Sequence, residues 1–111
     1  MRQAIIKYNS IVAGTLKELD SGEYEFLYDE KYIQNYPTLF ITFQMPVHNR
    51  AYQSKRLFPF FEGLIPEGWL LQIASENWKI NKNDRMGLLL ACCQNAIGAV
   101  SVHAVKETKD V

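Results

Sequence analysis

Leu57-Phe58-Pro59-Phe60-Phe61-Glu62-Gly63-Leu64-Ile65-Pro66-Glu67-Gly68-Trp69-Leu70-Leu71 is the stretch in which the chain changes its period. Phe58, Phe61 and Ile65 recur at helical spacing up to Pro66, whose fixed φ and missing N–H suit the first turn of a new helix. Glu67 follows it, where a carboxylate complements the positive end of the helix dipole. Leu70, Ile73, Ala74 and Asn77 then lie at i, i+3, i+4 and i+7, the face of a helix running to about Trp78.

Upstream, the apolar residues come in twos. Ala4, Ile6 and Tyr8 alternate with Ile5, Lys7 and Asn9, and Asn9-Ser10 offers a hairpin turn into Ile11 to Leu16. Asp20-Ser21-Gly22 is a second turn signal, after which Tyr24, Phe26 and Tyr28 alternate with Glu23, Glu25 and Leu27. Past Pro37, Leu39-Phe40-Ile41-Thr42-Phe43 reads as a further strand, rich in aromatic and β-branched residues. Downstream, Asn83 or Asp84 caps a helix striped by Met86, Leu89, Leu90, Cys93 and Ile97. Gly98 ends it, and residues 99–105 form a closing strand. The reading is an α+β fold: a small, mostly antiparallel sheet with about three helices packed on one face or edge.

At 111 residues, 48% of them hydrophobic, the chain holds a single domain spanning 1–111 and too small for two cores. Twelve basic residues balance twelve acidic ones, which removes any global electrostatic attraction to nucleic acid or anionic membrane. The balance is a sum of unequal parts. Residues 1–30 carry three bases and six acids, residues 31–61 carry Lys31, Arg50, Lys55 and Arg56 with no acid, and residues 62–84 carry four acids against two bases. No apolar run approaches the ~20 residues of a spanning helix, and the N-terminus returns to a charge at Lys7 before a signal-peptide core forms. A cytoplasmic protein is expected. The two cysteines, Cys92 and Cys93, are adjacent, which suits neither a disulfide nor a zinc site and reads as small apolar filler in a buried helix.

No catalytic constellation is visible. G-x-G-x-x-G, G-K-[ST] and D-F-G are all missing, and Gly63 and Gly68 flank a helix junction. His48 and His103 are far apart with no metal-ligand spacing, and Cys93 sits on an apolar stripe where a thiolate is disfavoured. No cofactor and no metal are implied. Arg50-Ala51-Tyr52-Gln53-Ser54-Lys55-Arg56-Leu57-Phe58 combines bases with aromatic rings, the pattern by which phosphates are held and bases stacked; a solvated connection between strand and helix accounts for it equally.

Counting about 100° per residue along the helix, Trp69 shares a side with Gln72 and Glu76, away from the stripe of Leu70, Ala74 and Trp78. An outward tryptophan is an interface anchor; the alternative is that it folds back over the sheet or the phenylalanine cluster. Trp69, Glu67, Gln72 and Glu76 are the candidate partner-binding residues.

Phe60-Phe61-Glu62-Gly63-Leu64-Ile65-Pro66-Glu67-Gly68, then Asp84-Arg85-Met86-Gly87-Leu88-Leu89-Leu90 and Ile97-Gly98-Ala99-Val100-Ser101-Val102, resemble the N-terminal subdomain of HipA-like serine/threonine kinases. Gly14-Thr15-Leu16 and Phe26 with Tyr28-Asp29 fit that family's opening strands, so the resemblance covers nearly the whole chain. Where the family carries a glycine and an aspartate before its closing strand, this chain has Cys92-Cys93-Gln94-Asn95-Ala96. The family's kinases continue into ATP-binding and catalytic regions that have no counterpart in these 111 residues, so no catalytic residue is expected. A free-standing copy of the subdomain is similar to the HipS family, the small antitoxins of three-component HipBST toxin–antitoxin systems. That resemblance implies a shortened HipA-like kinase, HipT, as the partner to be inhibited, and a HipB-like DNA-binding protein in the same complex. An activating subunit that completes a split kinase would need the same docking surface, and a nucleic-acid module on residues 50–58 is a reading from a different class.

Overall fold

Five antiparallel strands lie in the order β4-β3-β2-β1-β5 in a computed structural model that describes residues 2–65, 76, 83–92 and 99–105. The strands are β1 (Arg2–Tyr8), β2 (Ile11–Glu18), β3 (Tyr24–Tyr28), β4 (Tyr52–Ser54) and β5 (Val100–Ala104). The described helices are α1 (Glu30–Asn35), α2 (Pro59–Glu62) and α3 (Arg85–Cys92). The fold is α+β, as the change of period implies.

The hairpin turn is where its residues require it. Asn9 and Ser10 both have positive φ, 51° and 70°, the backbone of a turn whose twist matches that of the flanking strands. Two residues before that turn the register slips: Ile6 faces Gly14 but Lys7 faces Val12, leaving Ala13 as the extra residue of a β-bulge. The bulge serves the next element, because the Ala13 carbonyl accepts the Asp29 N–H at 2.7 Å. Asp29 then caps α1, its carboxylate accepting the Lys31 N–H.

Period-two alternation puts one face of the sheet inside. Ala4 and Ile6 of β1, Leu16 of β2, Tyr24, Phe26 and Tyr28 of β3, and Val100 and Val102 of β5 are buried on it. Gly14 lies between Ile6 and Tyr28; a Cβ there would sit 2.5 Å from the Leu27 carbonyl oxygen and 2.8 Å from the Phe26 ring. Only glycine leaves room there for the Phe26 ring. From Phe26 a continuous run of aromatic contacts extends both ways: through Tyr28, Tyr32 and Tyr36 into α1, and through Phe61 to Phe58 and Phe60 at α2. Centroid separations of 4.9 to 6.1 Å are those of favourable edge-to-face and offset pairs. Apart from tyrosine hydroxyls, the described residues bury no charged or polar side chain, so burial of apolar area carries this core.

Two expectations change. Leu39-Phe40-Ile41-Thr42-Phe43 is a loop, and the place beside β3 belongs to β4, a three-residue strand within a stretch that reads as a loop. The loop backbone is bonded instead by tyrosine hydroxyls: Tyr28 Oη accepts the Ile41 N–H at 3.1 Å and donates to the Met45 carbonyl, and Tyr32 Oη donates to the Leu39 carbonyl at 2.7 Å. Helix α1 is an addition, placed by the Asp29 cap. The helix expected from Pro66 to about Trp78 lies outside the described residues, as do Cys93, Ile97 and Gly98 of the third helix and its end.

Candidate partner-binding surface

The described segments on either side of the stretch proposed to carry the docking residues are both packed into the core. On the N-terminal side, Leu57, Phe58, Phe61 and Ile65 are buried, and α2 begins with Pro59 in its first turn. Phe61 is fully buried against Phe26, which fixes α2 to β3. On the C-terminal side, Met86, Leu88 and Leu89 of α3 are fully buried. The helical stripe names Met86 and Leu89; Leu88 is buried as well because α3 packs against both α2 and β5.

Charged groups join the flanks. Arg85 donates through Nε and a terminal nitrogen to Glu62 Oε1, at 3.2 and 3.0 Å, tying α3 to α2. Arg2, at the start of β1, is bonded through both forks: to Glu18 at 2.7 and 3.0 Å and to Asp84 at 2.8 and 3.0 Å. Asp84 also caps α3, accepting the Gly87 N–H at 3.1 Å. A Cβ on Gly87 would collide with the Asp84 carboxylate and crowd Arg2 at 3.2 Å, so glycine here keeps cap and clasp together. Hydrogen bonding from Arg2 holds the Asp84 carboxyl below its ordinary value, and bonds to Asp84 and then Glu18 keep the Arg2 guanidinium more firmly protonated than usual.

Of the four candidate contact residues, Glu67, Trp69 and Gln72 lie outside the described residues, and Glu76 is helical and exposed. Two of the three stretches that carry the resemblance, those around Glu62 and around Asp84-Arg85, contribute to these intramolecular pairs. Arg2 carries no sequence signal of its importance, since its partners are 16 and 82 positions away.

His103 is half-buried and shares a 2.8 Å hydrogen bond with Ser101. His48 stacks on Tyr52 at 4.5 Å and accepts the Arg50 N–H on Nδ1. Among the described residues no group of three or more His, Cys, Asp or Glu is placed to hold a metal, and no helix is long and apolar enough to cross a membrane. In the basic segment, Tyr52 is half-buried with its hydroxyl on the Pro46 carbonyl, and Leu57 and Phe58 are in the core. Phe58 is thus buried, and Tyr52, half-buried and stacked on His48, is the one ring of the segment left partly open to the stacking that single-stranded nucleic acid needs.

Residues 4–103 match the family described as the HipA N-terminal domain. An uncharacterized protein of Haemophilus influenzae is 32% identical over 94 residues, which are 85% of this chain and 84% of that protein. Among solved structures, one titled N-terminal domain of HipA toxin superposes with a TM-score of 0.73 over 97% of this chain and 96% of its own, at 24% identity, a likeness of fold.

Proposed function

Because the chain belongs to the HipA N-terminal domain family, we propose that it is a non-catalytic antitoxin that binds and inhibits a HipT-like serine/threonine kinase. Membership makes it a HipA-related toxin–antitoxin component, and the family's domain is non-catalytic. The antitoxin docks where the subdomain would sit within a full-length HipA-like kinase. A HipB-like DNA-binding protein is the third member of the complex.

One observation carries this reading. The family match runs through residues 4–103, and Glu62, Asp84 and Arg85 of its motifs are committed to intramolecular pairs that shape the domain. What such a scaffold offers a kinase is a shaped surface, with Trp69 as anchor and Glu67, Gln72 and Glu76 around it. A tryptophan inserted beside the kinase's nucleotide loop would exclude the closed, ATP-competent geometry sterically.

Truncating a central aromatic anchor costs about 2–4 kcal/mol of binding, roughly thirtyfold to a thousandfold in Kd. On co-expression with the kinase, wild-type protein should restore growth and Trp69→Ala should fail to, while remaining folded by circular dichroism. Full protection by the folded Trp69→Ala protein would remove the anchor from the account. Stimulated kinase autophosphorylation on adding the protein would turn the reading into that of an activating subunit.

A further inference from the structure

Glu62 and Arg85 bracket the stretch of sequence that carries all four candidate contact residues, and their side chains meet. Arg85 donates from Nε and Nη2 to the same Glu62 oxygen at 3.2 and 3.0 Å, so the chain that leaves α2 is tied to α2 again where it enters α3. The departure is also fixed by the backbone. Leu64 N–H donates to the Phe61 carbonyl at 3.0 Å and Ile65 N–H to the Glu62 carbonyl at 3.1 Å, and Ile65 is buried. At the return, Arg85 N–H donates to the Asn83 carbonyl at 3.1 Å, Asp84 is clasped by Arg2, and Met86 is fully buried.

The pair contributes little to stability as such. The Glu62 and Arg85 side chains are 37% and 34% exposed, so water screens their attraction, and burial of Phe61, Ile65, Met86, Leu88 and Leu89 holds α2 and α3 in the core. What the pair adds is direction. Apolar burial is non-directional, whereas a charge-assisted hydrogen-bonded pair favours one placement of a four-residue helix relative to its neighbour. The stretch between them inherits that placement at both ends. A binding stretch with its ends held loses less freedom on docking, which raises affinity without any new contact. Each member of the pair also has its opposite charge within the protein.

We propose that Glu62 and Arg85 are positioning residues for kinase binding: they set where the stretch carrying Trp69 leaves the domain and rejoins it, and the partner touches neither. The proposal rests on the reading that Trp69 docks on a HipT-like kinase. It differs from direct contact, in which one of these charges would meet a charge on the kinase. It differs equally from a role in folding alone, in which loss of the pair would lower the folded fraction and weaken every contact together.

Purified HipT-like kinase, immobilised for interferometry, tests this with wild-type protein, Glu62→Arg, Arg85→Glu and the charge exchange Glu62→Arg/Arg85→Glu. Each is also made in the Trp69→Ala background, and circular dichroism checks folding. Each single reversal should weaken binding about fivefold. The exchange rebuilds the pair with its charges swapped and should return affinity to within about twofold of wild type. In the Trp69→Ala background the same reversals should change affinity by less than about twofold, because the group they position is gone. Folded single reversals that bind as wild type does would overturn the proposal. So would an exchange as weak as the single reversals, which would mean direct charge contact with the kinase. Equal losses with and without Trp69 would overturn it in favour of a role in folding alone. In all three cases wild-type protein binds and the partner reading stands; if wild-type protein does not bind, that reading fails first and the proposal with it.

Discussion

Two regions fasten irregular chain to the same sheet by opposite means. At the lower end of β1 and β2, Arg2 clasps Glu18 and the α3 cap Asp84 with charge, and Arg85 joins Glu62 beside it. Next to β3, the hydroxyls of Tyr28 and Tyr32 pin the 39–45 loop with neutral hydrogen bonds, Tyr28 itself being buried. The Arg2 side chain is 39% exposed, so water and salt screen its bonds and they act mainly to fix geometry. A buried hydroxyl is not screened. Its loss strands backbone groups that have no water to turn to.

The sharpest way to break the comparison is Tyr28→Phe. Removing the hydroxyl leaves the Ile41 N–H and the Met45 carbonyl unanswered, and should cost about 2–3 kcal/mol in urea denaturation with no dependence on salt. Arg2→Gln should cost less, about 1 kcal/mol, and the loss should shrink in ~1 M NaCl. Its Nη2 atom is 3.0 Å from Glu18 and 2.8 Å from Asp84, so removing the guanidinium also leaves two carboxylates facing each other. Equal losses with equal salt dependence would erase the distinction between pin and clasp.

The two regions also fail at opposite ends of the pH scale. Asp84 has its carboxyl held below the ordinary 3.8 by Arg2, so its stabilising contribution is full above that value and is lost as pH falls through the lower, folded-state one. Asp84→Asn should flatten the acid limb of stability against pH below about 4. Burial pushes Tyr28 from 10.0 to about 12, which favours the neutral phenol in the folded state; that contribution is present below pH 10 and is lost as pH rises towards 12. Alkaline unfolding should therefore shift on Tyr28→Phe and stay in place on Asp84→Asn. The smallest effect expected is from Gly87→Ala. An ordinary helix position gains up to ~1 kcal/mol from that change, whereas here displacement of the Asp84 cap should turn the gain into a small loss, measured by thermal melting.

The difference between pin and clasp also explains what could be read in the chain beforehand. Alternation in Ala4-Ile5-Ile6 and Tyr24-Glu25-Phe26-Leu27-Tyr28, the Asn9-Ser10 turn and the stripe through Met86 and Leu89 are local patterns, and they fold as such. Leu39 to Phe43 has the composition of a strand, but a strand also needs a neighbour, and β4 with three residues occupies the edge of β3. Nothing local says that two tyrosine hydroxyls replace that ladder. Arg2 was equally silent, because its meaning lies in a carboxylate 82 positions away. By helical spacing in the sequence, the candidate contact residues Trp69, Gln72 and Glu76 share a side; of these, Glu76 is the one described, helical and exposed.

The central proposal is that this domain, a member of the HipA N-terminal domain family, inhibits a HipT-like kinase. The most direct measurement is autophosphorylation of a purified HipT-like kinase, followed with labelled ATP as the protein is titrated in. Phosphate incorporation should fall to background near equimolar protein, and Trp69→Ala should require much higher concentrations for the same effect. Undiminished or increased incorporation, with a complex formed between the two proteins, would contradict the claim.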